Sequence, residues 1–172
     1  MESVFSFGKS ECAIILLIKR GVLMQSEGLN FRAIDADNAA DVLKIKVKSG
    51  QETFIETVAE CLEEAALHSE WHPVAIYNFD QVIGFAMYGA FGANTDTWID
   101  RIIIDETFQG KGYGKEAMKQ LIKIVAKEYG VDTIYLSIVE ENEVARHLYE
   151  SMGFEEMNER DPNGELLFQY RV

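Results

Sequence analysis

The sequence predicts a mixed α/β domain, a central sheet of about seven strands flanked by about four helices. Three observations predict it. Short apolar runs of period two alternate with longer segments whose apolar residues recur at helical spacing. These segments follow one another in the order β-α-α-β-β-β-α-β-α-β-β, which reads as one mixed sheet with helices packed on it. A strand ending at Ile104 runs into a loop holding Gly110, Gly112 and Gly114, and a helix starts at once. The 172 residues suit one domain with a core of its own, and two prolines without a Ser/Gly-rich tract leave no linker.

Leu29–Ile34 reads as the first strand. Asp35 and Asp37 are N-cap candidates for a helix carrying Ala39, Val42, Leu43 and Val47. A second helix is expected from about Glu52 to Leu67, on the spacing of Phe54, Val58, Cys61, Leu62 and Ala65. Pro73–Asn78 and Val82–Phe91 are strands around Phe79-Asp80-Gln81, a hairpin, and Trp98–Ile104 is another strand. Beyond the glycine loop, Met118, Leu121, Ile122, Val125 and Tyr129 mark a helix that Gly130 ends. Thr133–Val139 alternates as a strand, and Asn142 caps a helix carrying Val144, Ala145, Leu148 and Met152, closed by Gly153. Phe154–Asn158 and Leu166–Tyr170 are strands around the turn Asp161-Pro162-Asn163-Gly164.

Residues 1–23 read as an N-terminal extension and residues 24–172 as the domain. Ala13–Ile18 is too short an apolar run for a membrane span, and no small-residue cleavage site follows it. Lys19-Arg20-Gly21 can be encoded by a purine-rich stretch resembling a ribosome-binding site, so Met24 is the expected natural start and the preceding residues leader. Neither export nor a membrane partner is expected.

With 29 acidic against 16 basic residues the net charge is −13, which argues against nucleic acid as a partner. The same field concentrates cations, or simply keeps the surface solvated. Cys12 and Cys61 are too few for a disulfide framework or a cysteine zinc site, and Cys61 reads as a reduced packing residue, which fits the cytoplasm. His68 and His72 share i,i+4 spacing, but Ser69 stands where a zinc-binding H-E-x-x-H motif needs Glu, so no metal is expected. His147 reads as a surface residue.

The most informative stretch is Ile102-Ile103-Ile104-Asp105-Glu106-Thr107-Phe108-Gln109-Gly110-Lys111-Gly112-Tyr113-Gly114. Glycines let a backbone approach a ligand, and the free N–H groups at a helix start attract an anion, such as a pyrophosphate. Lys111 and Lys115 add positive charge. A Walker loop would need Ser or Thr after Lys111, where Gly112 stands, and the glycines are not spaced as in G-x-G-x-x-G. Both nucleotide motifs fail.

Gln109, Gly112 and Gly114 resemble the acetyl-CoA signature of GNAT acetyltransferases, Gln/Arg-x-x-Gly-x-Gly/Ala. One strand later, Asn142-Glu143-Val144-Ala145-Arg146-His147-Leu148-Tyr149-Glu150-Ser151-Met152-Gly153-Phe154 resembles that superfamily's Asn-x-x-Ala-x-x-Leu-Tyr-x-x-x-Gly-Phe block. The resemblance runs from Leu29 to the C-terminus. It implies a GNAT fold with a mixed, mostly antiparallel sheet, acetyl-CoA as acetyl donor, and a homodimer. Carried over by position, the loop Gln109, Gly110, Lys111, Gly112, Tyr113, Gly114 and Lys115 would hold the pyrophosphate. Ile102 and Ile104 would pair with the pantetheine arm, Asn142 would contact the cofactor, and Tyr149 would protonate departing CoA. The chemistry agrees: a phenol, with a pKa of about 10, stays protonated until a sulfur of pKa about 8.5 develops charge.

The nucleophile must be a neutral amine, and neutralising an alkyl ammonium at pH 7 costs about 4 to 5 kcal/mol. Asp100 is the candidate base, on the strand that would flank the pantetheine arm. A structural pairing with Arg101 is the alternative reading of Asp100, and Glu140 is the competing base. Phe54-Ile55-Glu56, Cys61-Leu62-Glu63-Glu64-Ala65, Pro73-Val74-Ala75, Val82-Ile83-Gly84-Phe85-Ala86-Met87-Tyr88-Gly89 and Tyr135-Leu136-Ser137-Ile138 resemble the bacillus-type spermine/spermidine acetyltransferases. That resemblance implies a small polyamine substrate, with Glu56 and Glu140 as substrate-binding carboxylates. The acids crowding the second helix fit that substrate or a solvated face equally. Another amine (a protein N-terminus, a lysine, an aminoglycoside) and a non-catalytic acyl-CoA-binding domain stay open as alternatives.

Overall fold

The structure is a computed structural model that describes residues 28–172. The expectations for residues 1–23, Met24 and Cys12 lie outside the described residues. Along the chain run β1 (Asn30–Ala33), α1 (Ala39–Val42), α2 (Val58–Leu67), β2 (Trp71–Asn78), β3 (Gln81–Phe91) and β4 (Asp96–Ile104). Then follow α3 (Tyr113–Tyr129), β5 (Thr133–Ile138), α4 (Glu143–Glu150), β6 (Glu155–Arg160) and β7 (Leu166–Arg171). The order of strands and helices is the one the periodicity predicts. The strands form one sheet in the order β1-β2-β3-β4-β5-β7-β6, antiparallel throughout except between β4 and β5.

Both early helices differ from expectation. The first was expected to reach Val47 from a cap at Asp35 or Asp37, but α1 stops at Val42 and its N-cap position is Asn38. Asp35 Oδ1 instead accepts the backbone N–H groups of Asp37 and Asn38, a local network at the helix entry. Beyond α1 the chain is drawn into extended contact with the loop after β4, where Glu106 N–H donates to the Lys46 carbonyl at 2.7 Å. That competing tertiary bond ends the helix. The second helix starts at Val58 rather than near Glu52, because Thr57 and Glu60 form a capping box that fixes its first turn. Phe54 and Glu56 therefore precede the helix.

The sheet is buried on both faces. Ile76, Ile83, Ala86, Ile99 and Ile104 pack with Met118, Leu121 and Val125 of α3. Neighbouring strand positions Ala75, Tyr77, Phe85, Met87 and Ile103 pack with Val42, Val58 and Cys61 on the other side. Period-two side-chain alternation produces this division, with the register breaks at Ile83 and Asp100 switching faces along β3 and β4. Phe85 is fully buried, so truncating it to Ala costs about 3 to 5 kcal/mol.

Two irregularities in β4 create the site. Met87 pairs with Arg101 and Tyr88 with Ile99, so Asp100 has no partner on β3 and forms a bulge. A bulge re-aims side chains, and here Asp100 comes near Glu64 of α2 and Glu56 just ahead of its cap, while Arg101 pairs with Glu56. On its other side β4 meets β5 only at Trp98 and Tyr135. Past that point the two strands part, and the sheet opens as a fork.

Candidate active site

The fork holds a cleft of about 500 Å³. Its walls come from β4 and β5, the glycine loop, α4, and the segment between α1 and α2 that contributes Val47, Gln51, Phe54 and Ile55. Apolar walls with a few converging polar groups are the usual make-up of a small-molecule site.

At the open end of the fork lies the glycine loop. Gly110 and Gly112 have φ of 79° and 84°, the left-handed region that strains any residue with a Cβ. A Cβ at either would meet nothing within 4 Å, so backbone shape rather than crowding calls for glycine, and space is left beside the loop. Gly112 occupies the N-cap position of the 17-residue α3, whose first-turn N–H groups lack helical acceptors. Together with the helix dipole they make an anion site. Lys115 lines the cleft, with Nζ 3.1 Å from Ser151 Oγ at the C-cap of α4.

The other motif side chains brace the loop. Gln109 Nε2 donates to the Ile104 carbonyl at 2.9 Å and to Gln51 Oε1 at 3.0 Å. Lys111 Nζ donates to the Thr107 carbonyl and lies over the Phe108 ring, while the Tyr113 hydroxyl accepts from Asn78 Nδ2 at 3.0 Å. Neither Lys111 nor Tyr113 lines the cleft with its side chain, so a direct ligand contact from those two would come from the backbone.

Ile102, Ile104 and Asn142 all line the cleft. Asn142 Oδ1 accepts the Ala145 N–H at 3.2 Å and caps α4. One face of that helix turns Tyr149 into the same cleft, 8% exposed, with its ring 5.6 Å from Phe154. Burial alone pushes the Tyr149 phenol up to about 12. It is thus a proton carrier at neutral pH.

At the closed end stand the carboxylates. Asp100 Oδ2 lies 2.6 Å from Arg101 Nη1, and Glu56 Oε2 lies 2.7 Å from Arg101 Nε, whose N–H is poorly directed toward it. Both readings of Asp100, cleft residue and partner of Arg101, therefore coexist in one geometry. A carboxylate beside a guanidinium would ordinarily titrate low. Here burial dominates and, with Glu64, Glu56 and Glu165 nearby, outweighs Arg101, so Asp100 is pushed up to about 6. For Arg101 burial opposes the charge, yet Asp100 and Glu56 outweigh it and keep the guanidinium protonated. Glu140, the competing base, does not line the cleft; it is paired with Arg160 Nη2 at 2.8 Å.

Three residues of the site lie outside the two acetyl-CoA motifs. Arg101 is the shared cation. Ser137 Oγ donates to Glu165 Oε2 at 2.6 Å, and both line the cleft. A polar residue at Ser137 is unremarkable on a strand whose alternate positions are buried, and nothing local marks Glu165. His72 stacks on Tyr88 at 5.6 Å, away from the cleft, and His147 is exposed. Among the described residues no helix is long and apolar enough to cross a membrane.

Comparison with known proteins gives the family. The sequence pattern of the acetyltransferase (GNAT) family matches residues 40–154. Spermine/spermidine N(1)-acetyltransferase of Bacillus subtilis (strain 168) is 41% identical over 143 residues, which cover 80% of this chain and 94% of that protein. Spermidine N-acetyltransferase from Vibrio cholerae, solved with CoA and spermine, aligns with a TM-score of 0.66 at 18% identity over 86% of this chain and 96% of that one. PaiA N-acetyltransferase from Thermoplasma acidophilum, solved with coenzyme A, gives 0.64 at 16% identity over 84% and 99%. At such identities these structures speak for the fold alone. The sequence matches carry the assignment: the chain belongs to the GNAT family of N-acetyltransferases.

Proposed function

We propose that the protein transfers the acetyl group of acetyl-CoA to a primary amine of a polyamine, with Tyr149 as general acid and Asp100 as base. One observation carries the reading. A single fork holds an anion-binding loop where it opens and carboxylates where it closes, and Tyr149 lines the same cleft.

The residues fit acetyl-CoA. Past Trp98 the edge of β4 facing β5 has no strand partner, so backbone groups around Ile102 and Ile104 can pair with an amide-bearing arm. The amides from Gln109 to Lys115 suit its pyrophosphate. When bound, the thioester supplies the acetyl group and a sulfur leaving group. Tyr149, held protonated by its burial, is the donor for that sulfur. Asp100 accepts the proton the amine must lose, and its raised proton affinity narrows the mismatch with an ammonium of pKa about 10.4.

The acceptor is a cation before it reacts, and at the closed end Asp100 feels Glu64, Glu56 and Glu165 against one opposing cation, Arg101. That excess of negative charge favours a polycation over a neutral or acidic amine. The Bacillus subtilis relative is named for spermine and spermidine, which supports the same class. A homodimer, implied by the family resemblance, and a cytoplasmic location, which a reduced Cys61 fits, complete the reading, and equilibrium sedimentation checks the dimer. Release of free thiol from acetyl-CoA with a panel of amines tests the acceptor. Spermidine and spermine should outperform an alkylamine of similar length, with an advantage that shrinks as salt rises. Equal efficiency for both classes overturns the polyamine assignment.

A further inference from the structure

The turn Asp161-Pro162-Asn163-Gly164 between β6 and β7 is unusually well tied. Asp161 Oδ1 accepts the N–H groups of Asn163 at 2.9 Å and Glu165 at 2.8 Å, and Asp161 N–H donates to the Glu165 carbonyl at 3.0 Å. Gly164 takes the left-handed conformation, φ 90°, that closes the turn, and Arg160 Nη1 binds its carbonyl at 2.7 Å. Glu165 is thereby fixed at both its backbone N–H and its carbonyl. Its side chain lines the cleft and accepts from Ser137 Oγ at 2.6 Å.

Ser137 and Asp100 each lie two positions beyond the Trp98–Tyr135 pairing, on the two strands of the fork. Ile134, Leu136 and Ile138 of β5 belong to the core beneath α3, so Ser137 faces the other side of the sheet, the side toward which Asp100 and Arg101 turn. Glu165 is close enough to raise the proton affinity of Asp100. Among the described residues Asp100 and Glu56 share Arg101, whereas no basic side chain pairs with Glu165. A half-buried carboxylate, rigidly presented in a substrate cleft and supplied with one neutral hydrogen bond, lacks a counter-cation that a cationic ligand can provide.

We infer that Glu165, oriented by Ser137, binds the second ammonium group of a di- or polyamine acceptor whose first nitrogen reacts at Asp100. This rests on the polyamine reading above. Glu165 is a specificity-determining residue that touches substrate, and Ser137 is a positioning residue acting through it.

Steady-state kinetics with spermidine and n-butylamine as acceptors test the inference in wild type, Glu165→Gln, Ser137→Ala and Ser137→Thr. Glu165→Gln keeps an acceptor for Ser137 and removes the charge. Measured at about pH 8, above the Asp100 titration that Glu165 also influences, it should raise KM for spermidine roughly tenfold more than KM for n-butylamine, the scale of one charge-assisted contact. Ser137→Ala should move the same constant in the same direction by less, and Ser137→Thr should restore it. If wild type itself treats the two amines alike, the polyamine reading falls and the subsite with it. If wild type discriminates and Glu165→Gln discriminates equally, or loses both amines in parallel, the subsite alone is overturned.

Discussion

Gln109 Nε2 donates to Gln51 Oε1 at 3.0 Å, joining the loop before α3 to the segment between α1 and α2. The same two stretches meet again where Lys46 N–H donates to Asp105 Oδ2 at 3.2 Å. The motif glutamine is thus a structural clasp in this conformation. It fixes the anion-binding loop against the segment that supplies Phe54, Ile55 and Glu56 to the cleft. The proposed donor and acceptor sites are built from segments far apart in sequence, and these cross-links hold them in register.

The general-acid role proposed for Tyr149 separates cleanly from binding. Tyr149→Phe removes only the hydroxyl and keeps the ring packed on Phe154. Turnover should fall by roughly 10²-fold or more, the scale of losing a general acid, with acetyl-CoA affinity retained. Stopped-flow turnover alongside calorimetry measures both, and wild-type turnover in this variant removes Tyr149 from the reaction.

Gly112→Val tests the anion loop. The residue sits at φ 84° in open space, so the substitution strains the backbone without a clash against the fold. Acetyl-CoA affinity should drop at least tenfold while the protein still unfolds cooperatively, because the strain is local, at least about 1 to 2 kcal/mol. Unchanged affinity in the folded variant would place the pyrophosphate elsewhere.

Much of this was legible in the sequence for definite reasons. The order of elements follows from periodicity, and Gly112, Gly114, Asn142 and Tyr149 stand in motifs whose spacing encodes their geometry. The start of α2 departs from the apolar spacing that begins at Phe54 because a local signal outweighs it: Thr57-Val58-Ala59-Glu60 is a capping box with reciprocal bonds. The early end of α1 was not legible, since it depends on a bond between Lys46 and Glu106 that only the tertiary fold brings together. Glu165 was hidden for a similar reason. It reaches the cleft because β7 lies beside β5 in the sheet, a neighbour relation that crosses the chain order.

The capping box gives a stability prediction. Thr57→Ala deletes the side-chain oxygen that accepts the Glu60 N–H at 3.3 Å. The loss should be about 1 kcal/mol, or a Tm lower by roughly 2 to 4 °C in calorimetry. Because Glu56 adjoins the cap, KM for the amine should rise with it, while acetyl-CoA affinity stays put. A Tm equal to wild type would show that packing of Val58 and Cys61 alone fixes the start of α2.

The pH dependence should be governed by Asp100 and the charges that face it. Its carboxyl is pushed up to about 6, chiefly by burial, against the opposing pull of Arg101 and with Glu64, Glu56 and Glu165 adding to the rise. Below that value Asp100 holds its proton and cannot take one from the amine. The kcat/KM for the amine should therefore fall about tenfold per pH unit on the acid side of pH 6, beyond the decline that ionisation of the amine itself produces. Asp100→Asn should lower activity and abolish this extra limb. Arg101→Gln withdraws the one cation and leaves three acids facing Asp100, so the limb should move to higher pH. Glu56→Gln withdraws one of those acids and should move it lower, which gives an arm of opposite sign that does not depend on the arginine variant folding. The three profiles, taken on protein verified by its melting transition, decide the matter: a limb that stays in place in both charge variants, or survives in Asp100→Asn, assigns the base to another group.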